Sequence, residues 1–267
     1  MADPILITGG TGNLGSALVP RLLDAGRTVR ILSRSAHPDT EGVEYVVGDL
    51  ETGVGIDAAV AGAEIVVHGA GSAKGDAAKA GTLVAALRRA GTARHLLYMS
   101  VVGADTTPVV SGVDRSTLGY FEAKRKAELS VAGSGIPFTT LRATQFHSFF
   151  VAIVELGLKL PFVPSFAGFR YQPVDVRDVA ERLAELTLAE PTGLVDEIGG
   201  PSVYPMEDLL RQYLRATGRR RPVVPMRIPG GAAKAQRAGA NLALDHATGT
   251  RTWEEFLAGV EAARDRR

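Results

Sequence analysis

The sequence predicts an α/β protein built on a doubly wound parallel sheet, and three observations predict it. Short β-branched runs alternate with helical patterns through the first half of the chain. Most of these runs are apolar on both faces, as strands covered by helices on each side should be. The first run leads directly into a glycine-rich turn and an amphipathic segment. The strand candidates are residues 5–8, 29–32, 43–47, 65–68, 96–99 and 138–141.

Helical spacing of apolar residues fills the intervals between these runs. One pattern covers residues 80–90 and ends at Gly91, and another covers residues 120–131. After residue 145 the alternation of strand and helix patterns stops, and helices are expected again at residues 176–188, 206–216 and 253–260. The pair Gly230-Gly231 predicts a loop.

Glycine spacing in the first turn indicates a phosphate-binding site. Gly9 lets the chain leave the strand sharply, Gly12 lets the backbone approach a pyrophosphate, and Gly15 lets helix and strand pack closely. The N-terminus of the following helix points N–H groups and a positive dipole at such phosphates. A glycine-rich surface turn is the alternative interpretation. The residues assigned to the site are Gly9, Thr11, Gly12, Asn13, Leu14 and Gly15.

Composition excludes several classes of protein. The 267 residues include no cysteine, which excludes disulfides, thiolate metal sites and a cysteine nucleophile. A net charge of +1 gives no reason to expect nucleic acid or an anionic membrane as a partner. The histidines show no ligand spacing, so no metal site is expected. No membrane span or signal peptide is visible, and we expect a cytoplasmic protein that is a monomer or a homodimer.

The end of the second strand favours NADP(H) over NAD(H), although NAD(H) stays possible. An acidic residue here would bind the free 2′-hydroxyl of NAD, and the chain has Ser33 and Arg34 instead. Arg34 either pairs with a 2′-phosphate and stacks on adenine, or is an ordinary surface arginine. After the third strand, Asp49 and Leu50 lie near the adenine or form a simple turn. After the fourth strand, Gly69-Ala70-Gly71-Ser72 lets the backbone pass close to the cofactor.

Tyr120 and Lys124 indicate acid–base chemistry. Four residues apart on a helix, they share one face. A phenol has a reference pKa of about 10, and a nearby ammonium favours its phenolate form. Such a tyrosine can exchange a proton while hydride moves to or from a carbonyl carbon. The lysine can also hold the nicotinamide ribose. An amphipathic tyrosine near a surface lysine is the alternative interpretation.

Several segments together match one known family. The run Thr8-Gly9-Gly10-Thr11-Gly12-Asn13-Leu14-Gly15, with Tyr120 and Lys124, resembles the short-chain dehydrogenase/reductase superfamily. Later segments narrow the resemblance to its atypical, NmrA-like NAD(P)H-binding branch. They are Tyr98-Met99-Ser100-Val101-Val102-Gly103, Leu141-Arg142-Ala143-Thr144-Gln145-Phe146-His147, Gln172-Pro173-Val174-Asp175-Val176, Gly199-Gly200-Pro201 and Thr252-Trp253-Glu254-Glu255-Phe256-Leu257. The resemblance implies a Rossmann-type core, a small C-terminal substrate-binding lobe, NADP(H) or NAD(H), and a carbonyl, quinone or imine-like substrate.

The resemblance also implies a third catalytic residue, a serine or threonine after the fifth strand that hydrogen-bonds the substrate oxygen. Ser100 is the nearest candidate. The superfamily's serine often lies one or two residues further on, where this chain has Val101 and Val102. Ser116 and Thr117, in the long loop expected before Tyr120, are alternative hydroxyl groups.

The segment after the sixth strand is expected to face the nicotinamide and the substrate. Ala143 and Thr144 would run beside the nicotinamide, and Gln145 could fix its ring. His147 is either a substrate contact or proton donor, or a histidine with a local hydrogen bond. The frequent aromatic residues up to position 171 either line a pocket or form an irregular piece of core. The residues assigned to the substrate are Gln145, Phe146, His147 and Phe150.

These observations combine into one expectation. Residues 1–145 form an NAD(P)-binding Rossmann core, and residues 146–267 add substrate-binding segments, C-terminal helices and a late core strand, in one continuous structural unit. The expected function is an NADPH-dependent oxidoreductase that transfers hydride to a carbonyl, quinone or similar apolar or aromatic small molecule. Two alternatives stay open. One is a non-catalytic NADP(H)-binding redox sensor, and the other is an epimerase or dehydratase with tightly bound cofactor.

Overall fold

The computed structural model describes residues 3–71 and 75–266. Its strands are β1 (Ile5–Thr8), β2 (Val29–Ser33), β3 (Val43–Val47), β4 (Ile65–His68), β5 (His95–Val101), β6 (Phe138–Ala143), β7 (Val163–Phe166), β8 (Arg170–Tyr171), β9 (Gly193–Leu194), β10 (Tyr204–Pro205) and β11 (Val223–Met226). Its helices are α1 (Asn13–Asp24), α2 (Ile56–Val60), α3 (Asp76–Ala90), α4 (Gly112–Ala132), α5 (His147–Gly157), α6 (Val176–Leu188), α7 (Met206–Ala216), α8 (Gly231–Ala238) and α9 (Trp253–Asp265).

The main sheet confirms the predicted fold class. Within residues 3–71 and 75–266, seven strands form one parallel sheet in the order β3-β2-β1-β4-β5-β6-β9. Strand β1 lies in the middle, with Ile7 opposite Ile31 of β2 on one side and Val67 of β4 on the other. The order therefore reverses between β1 and β4, and such a reversal opens a crevice at the carboxyl ends of the two strands. This is the Rossmann arrangement.

Two compact units make up the chain, and neither is a single stretch of sequence. The first unit contains residues 1–100, 123–142 and 179–196, and the second contains residues 101–122, 143–178 and 197–267. The sequence placed one boundary at residue 145. The structure instead assigns residues 101–122 to the second unit and residues 179–196 to the first, because the late strand β9 pairs with β6.

The core of the first unit lies between the sheet and helices that cover it. Leu6 and Leu96 contribute from the strands, Leu83 and Leu87 from α3, and Val131 from α4. All five side chains are almost completely buried. Leu83 and Leu87 are four residues apart, so they lie on the same face of α3. The apolar periodicity seen in the sequence is therefore the face that packs on the sheet.

The core of the second unit is rich in aromatic residues. Phe150 of α5, Phe169 and Trp253 of α9 are each at most 1% exposed. Two small sheets flank this core: β8 pairs antiparallel with β10, and β7 pairs parallel with β11. The sequence left the aromatic residues up to position 171 as either a pocket lining or an irregular core, and the structure buries Phe150, Phe169 and Tyr171 in this core.

Helices replace three expected loops or irregular segments. Helix α4 begins at Gly112, with a kink at Leu118, so the long loop expected before Tyr120 is helical. Helix α8 covers the region of Gly230-Gly231, and α5 covers the start of the aromatic stretch. Over the ranges that the structure describes, every helix is too short or too polar to cross a membrane.

Candidate active site

The turn between β1 and α1 is so tightly packed that Gly9 and Gly15 admit no side chain. Gly9 has a φ of 78°, and a Cβ there would lie 2.8 Å from the amide nitrogen of Ala70. A Cβ on Gly15 would lie 2.4 Å from the carbonyl oxygen of Gly9, so the first turn of α1 packs directly on the loop. Gly12 precedes α1 as its N-cap. This cradle, which a side chain would fill, fits a pyrophosphate at a helix N-terminus.

The other residues assigned to this turn differ in whether their side chains are exposed. Thr11 and Asn13 are exposed, whereas Leu14 is 8% exposed and packs in the interior. The carbonyl oxygen of Asn13 accepts a hydrogen bond from the hydroxyl of Ser16 at 3.0 Å, which tightens the first turn. Thr11 and Asn13 can therefore offer side chains to a phosphate, and Leu14 can offer its backbone.

An exposed cation follows the second strand. Arg34 is exposed, while Ser33 is buried at the end of β2. After β3, Oδ1 of Asp49 accepts a hydrogen bond from the amide of Glu51 at 2.8 Å. Leu50 is 5% exposed and belongs to the core. Asp49 thus stabilises its own turn, which was the simpler of its two interpretations, and Arg34 remains available to a ligand.

The segment after β4 runs against the end of β1. The amide of Gly69 donates to the carbonyl oxygen of Thr8 at 3.1 Å, and the amide of Ala70 donates to the hydroxyl of the same threonine at 3.4 Å. Gly71 continues this segment, and Ser72 lies outside the described residues. The small residues therefore carry the backbone past the carboxyl end of β1, and their closeness to a cofactor stays a prediction.

His68 is a neutral histidine buried below this segment. Its Nδ1 lies 2.7 Å from the hydroxyl of Thr8, and its ring stacks on Tyr98 with centroids 5.5 Å apart. Burial and the positive charge of Lys124 lower the pKa of His68 to about 3. The imidazole is therefore uncharged at neutral pH.

Lys124 is the main charged group at these strand ends. Its side chain is 6% exposed, and its Nζ lies 3.0 Å from Oδ2 of Asp76. The ammonium also donates to the carbonyl oxygen of Met99 at 3.1 Å and lies 5.1 Å from the ring centroid of Tyr98. A Cβ on Gly71 would lie 3.3 Å from this Nζ. The ammonium is therefore fixed beside the glycine segment that follows β4.

Ser100 belongs to a buried ionic network. Its neighbour Glu128 accepts two hydrogen bonds of 2.8 Å each from the guanidinium of Arg142. Burial raises the pKa of Glu128, but Arg142, the Ser100 hydroxyl and Arg125 outweigh burial, so the pKa lies below its ordinary value. Beside this network, the Oγ of Ser100 is shielded from solvent and makes no hydrogen bond of standard geometry within the part of the chain that the structure describes. A catalytic role for it stays a prediction.

Tyr120 follows the kink in α4 and is partly buried. The backbone of Leu118 departs from helical geometry with φ −129° and ψ 17°, and Tyr120 begins the regular helix that continues to Lys124. The two alternative hydroxyl groups precede the kink. Ser116 and Thr117 donate to the carbonyl oxygen of Val113 at 2.9 Å and 2.8 Å. Both hydroxyls thus donate to their own helix while their side chains stay exposed, and a substrate-binding role for either stays a prediction.

The segment after β6 is held by the backbone of the second unit. The hydroxyl of Thr144 donates to the carbonyl oxygen of Gln172 at 2.5 Å, and Ala143 is 2% exposed. The amide of Val174 donates to the carbonyl oxygen of Gln145 at 3.0 Å. Oε1 of Gln145 is shielded from solvent and has no hydrogen-bond donor among the described residues. That oxygen is suited to accept a hydrogen bond from a ligand.

His147 is buried among aromatic rings. Its ring centroid lies 5.3 Å from that of Trp253 and 4.9 Å from that of Phe256. Nδ1 lies 3.7 Å from Oδ2 of Asp175, whose carboxylate is bonded to Arg177. Burial lowers the pKa of His147 to about 4, against an opposing effect of Asp175. Nδ1 lies beyond hydrogen-bonding distance of Asp175, Nε2 is buried without a hydrogen-bond partner among the described residues, and the role of His147 stays a prediction.

Phe150 does not lie at a pocket surface. It is completely buried, with ring centroids 5.3 Å from Tyr171 and 5.7 Å from Trp253. The structure thus corrects its assignment to the substrate, because α5 turns this side chain into the core. Phe146, at the N-cap of α5, is half-buried.

A cavity of about 470 Å³ in the second unit begins at the residues that follow β5. Val102, Gly103 and Leu242 contribute apolar surface, and Asp105 and Glu197 contribute carboxylates. The cavity thus differs from the aromatic pocket that the sequence suggested. Over residues 3–71 and 75–266, no group of three or more His, Cys, Asp or Glu side chains is arranged to hold a metal ion.

Comparison with known proteins agrees with this geometry. A family model described as NAD(P)H-binding matches residues 9–186, which include the glycine turn, Lys124 and the strand ends around them. The chain belongs to this NAD(P)H-binding family. This membership, together with a reductase relative, supports the resemblance to the atypical short-chain dehydrogenases/reductases.

One curated relative has both substantial identity and substantial overlap. The (4-alkanoyl-5-oxo-2,5-dihydrofuran-3-yl)methyl phosphate reductase of Streptomyces griseus is 30% identical over 223 residues, which are 80% of this chain and 74% of the relative. Membership of the family and its reductase relatives identify the chain as an NAD(P)H-dependent oxidoreductase.

Two solved structures share the fold over nearly the whole chain. The NADPH-dependent quinone oxidoreductase of Escherichia coli, complexed with NADPH, has a TM-score of 0.68 at 19% identity and covers 98% of this chain and 99% of its own. The UDP-glucose 4-epimerase of Thermus thermophilus, complexed with NAD, has a TM-score of 0.64 at 21% identity and covers 93% and 100%. At these identities the likeness shows the fold alone, and the two proteins carry different cofactors.

Sequence reasoning missed two buried acids, Asp76, which pairs with Lys124, and Glu128, which pairs with Arg142. Asp76 is the first residue of α3 and is 1% exposed, and Glu128 lies one helical turn after Lys124. A signal was present for each. Asp76 opens a helix just after the glycine segment, and Glu128 shares a helix face with Lys124 at a spacing of four.

Proposed function

We propose that this family member is an NADPH-dependent reductase that delivers hydride to the electrophilic carbon of a carbonyl or quinone. The observation that carries the proposal is the buried ammonium of Lys124. It lies beside the glycine segment after β4, and its helix also carries Tyr120. A buried charge at the edge of a sheet is costly, so a role in binding or chemistry accounts for its presence.

The preference for NADPH rests on Arg34. It is exposed at the end of β2, where an acidic residue would instead bind the 2′-hydroxyl of NAD. A guanidinium pairs with a 2′-phosphate through two parallel hydrogen bonds. Gly9 and Gly15 supply the tight turn for the pyrophosphate, and Gly71 lets the backbone run close to the cofactor.

In this proposal, three residues of the chain have separate roles in the reaction. NADPH, when bound, supplies the hydride. Tyr120 donates a proton to the substrate oxygen, and the positive charge of Lys124 favours the phenolate that remains. Lys124 also binds the hydroxyls of the nicotinamide ribose. The solvent-shielded Oε1 of Gln145 accepts a hydrogen bond from the carboxamide or the substrate.

The substrate class follows from chemistry and from relatives. Tyr120 needs an oxygen atom that gains a proton as hydride arrives, which carbonyl compounds and quinones provide. The Streptomyces griseus relative is named for reducing a phosphorylated furanone, and the Escherichia coli protein for reducing quinones. Because Phe150 and its neighbours pack in the core, the proposed function does not depend on the substrate being aromatic.

The test follows NADPH oxidation at 340 nm by the purified chain against quinones, enones, ketones and aldehydes. Tyr120→Phe should reduce kcat by about 100-fold or more on a carbonyl substrate, because general acid catalysis is lost. It should leave the Kd for NADPH within about threefold. Tyr45→Phe, on β3, is the matched control and should keep full turnover. NADPH binding without turnover on any compound, or full turnover by Tyr120→Phe, would contradict the proposal.

A further inference from the structure

Asp76 and Lys124 form an ion pair that is almost completely withdrawn from solvent. Their side chains are 2% and 6% exposed, and Oδ2 lies 3.0 Å from Nζ. Asp76 opens α3, immediately after Gly75, whose φ is 85°. The lysine comes from α4, so the pair joins two helices of the first unit across the end of the sheet.

Stability alone is a poor reason for such a pair. Removing two charges from water costs several kcal/mol, and apolar residues of similar volume often stabilise a protein equally well. The position of the pair is more informative. A Cβ on Gly71 would lie 3.3 Å from Nζ and 3.8 Å from Oδ2, so both groups border the backbone segment that the cofactor is expected to follow.

The charges around the lysine single out Asp76. The titratable groups on the surrounding elements and on the lysine's own helix include Asp76 and Lys79 of α3, His68 of β4, Tyr98 of β5, Arg142 of β6, and Tyr120, Glu122, Arg125, Lys126 and Glu128 of α4. Lys79 pairs with Glu51 at 2.9 Å, and Glu128 pairs with Arg142 at 2.8 Å. His68 is neutral. Asp76 is therefore the acid that places a negative charge against the ammonium.

We propose that Asp76 is the positioning residue for Lys124, holding its ammonium charged and aimed at the site of the nicotinamide ribose. The inference rests on the proposed function, because it assigns Lys124 to the ribose. The carbonyl oxygen of Met99 accepts a hydrogen bond from the ammonium at 3.1 Å, and the carboxylate of Asp76 supplies the counter-charge at 3.0 Å. Nζ also lies beside Gly71, so the ammonium borders the backbone segment that the cofactor is expected to follow.

A double-mutant cycle on the full chain tests this inference, with the Kd for NADPH measured by fluorescence titration. Asp76→Asn keeps the shape of the side chain and removes its charge, and we expect it to weaken NADPH binding about tenfold at pH 8. Lys124→Met should weaken binding as well. In the Lys124→Met background, Asp76→Asn should change the Kd by less than about twofold, because Asp76 acts through the lysine.

The pH dependence of binding gives a second readout. The loss of NADPH affinity at high pH should move to lower pH by about 1–3 units in Asp76→Asn, because an uncompensated buried ammonium loses its proton more easily. Asp114→Asn is the matched control. It removes another buried carboxylate, one that accepts hydrogen bonds from Ser111 and Ala232, and it should leave the pH profile unchanged.

The outcomes separate the inference from the proposed function. An equal effect of Asp76→Asn in both backgrounds, or an unmoved pH profile, overturns the inference while leaving the reductase proposal intact. Lys124→Met with wild-type affinity and turnover would instead contradict the role of Lys124 in the proposed function. If Asp76→Asn does not fold, Asp76→Glu replaces it in the same cycle, since it keeps the charge but displaces the carboxylate. For Asp76→Glu too, the inference requires a much smaller change of the Kd in the Lys124→Met background than in the wild type.

Discussion

Arg142 at the end of β6 and Glu128 of α4 form a buried ion pair with two hydrogen bonds of 2.8 Å each. Both side chains are 5% exposed. The pair joins β6 to α4, the helix that carries Lys124. On that helix, Glu128 lies one turn after Lys124. The pair therefore fixes the rotation of α4 and, with it, the direction in which Lys124 points.

Breaking this pair should cost much more stability than breaking an exposed one. Arg142→Met leaves the Glu128 carboxylate buried with Arg125 as its remaining guanidinium neighbour. We expect the free energy of unfolding to fall by about 3 kcal/mol, the lower end for a broken buried pair. Arg182→Met is the control, because Arg182 pairs with Glu185 in solvent, with side chains 43% and 61% exposed. In urea unfolding, Arg182→Met should lower the free energy of unfolding by less than about 1 kcal/mol. Equal costs for the two variants would contradict this account.

Gly15→Ala should damage cofactor binding, whereas a matched glycine replacement should not. A Cβ at position 15 would lie 2.4 Å from backbone atoms of Gly9 and Gly10, and these backbone atoms cannot move without opening the turn. We expect NADPH affinity to fall more than about tenfold, together with a lower melting temperature. Gly81 lies inside α3 with open space around its Cβ position. Gly81→Ala should keep the Kd and raise stability by about 0.5–1 kcal/mol. Unchanged affinity in Gly15→Ala would remove the glycine turn from the proposed site.

Arg34 should decide between the two nicotinamide cofactors. Arg34→Ala should weaken NADPH binding by about tenfold or more and leave NADH binding within about twofold, because only NADPH carries the 2′-phosphate. The measurement is the ratio of the two Kd values, taken at low and moderate salt because exposed charges are screened. Arg88→Ala, at an exposed position on α3, should leave the ratio unchanged. A wild-type preference for NADH would refute the assignment of Arg34.

The strands of the first unit could be predicted from sequence because their signals are local. β1, β3 and β4 begin and end at the predicted residues, since each is an apolar run bounded by turn residues. Helix α5 could not be predicted in this way. It is apolar on most of its surface, so its periodicity is weak, and Gly157 allows it to approach β7 closely. Tertiary packing, rather than a local pattern, defines that helix.

In the candidate site, too, some features have a local sequence signal and others depend on tertiary packing. The spacing of Gly9 and Gly15 and that of Tyr120 and Lys124 are visible in the sequence because each set lies within one turn or one helix. The pairing of Asp76 with Lys124 joins residues 48 positions apart and depends on how α3 and α4 pack. Ser100 could be found because it directly follows the fifth predicted strand, whereas the pairing of Glu128 with Arg142 depends on how α4 packs on β6.

Buried neutral histidines should make the protein less stable as the pH falls. Burial lowers the pKa of His147 from 6.5 to about 4 and that of His68 from 6.5 to about 3, and it also lowers the pKa of His95. In the unfolded chain these groups take up protons near pH 6.5, whereas the folded protein resists protonation. Stability is therefore fully present above pH 6.5 and is lost as the pH falls from 6.5 toward 4.

The contribution of one histidine can be measured by replacing it. Each of these side chains adds up to about 1.4 kcal/mol per pH unit to the slope of the unfolding free energy below pH 6.5. His147→Gln should reduce that slope by about this amount between pH 6.0 and 4.5 in urea unfolding. His37→Gln, at an exposed position, is the control and should leave the slope unchanged. An unaltered slope in His147→Gln would mean that the folded protein protonates His147 freely, and that its contact with Asp175 outweighs burial.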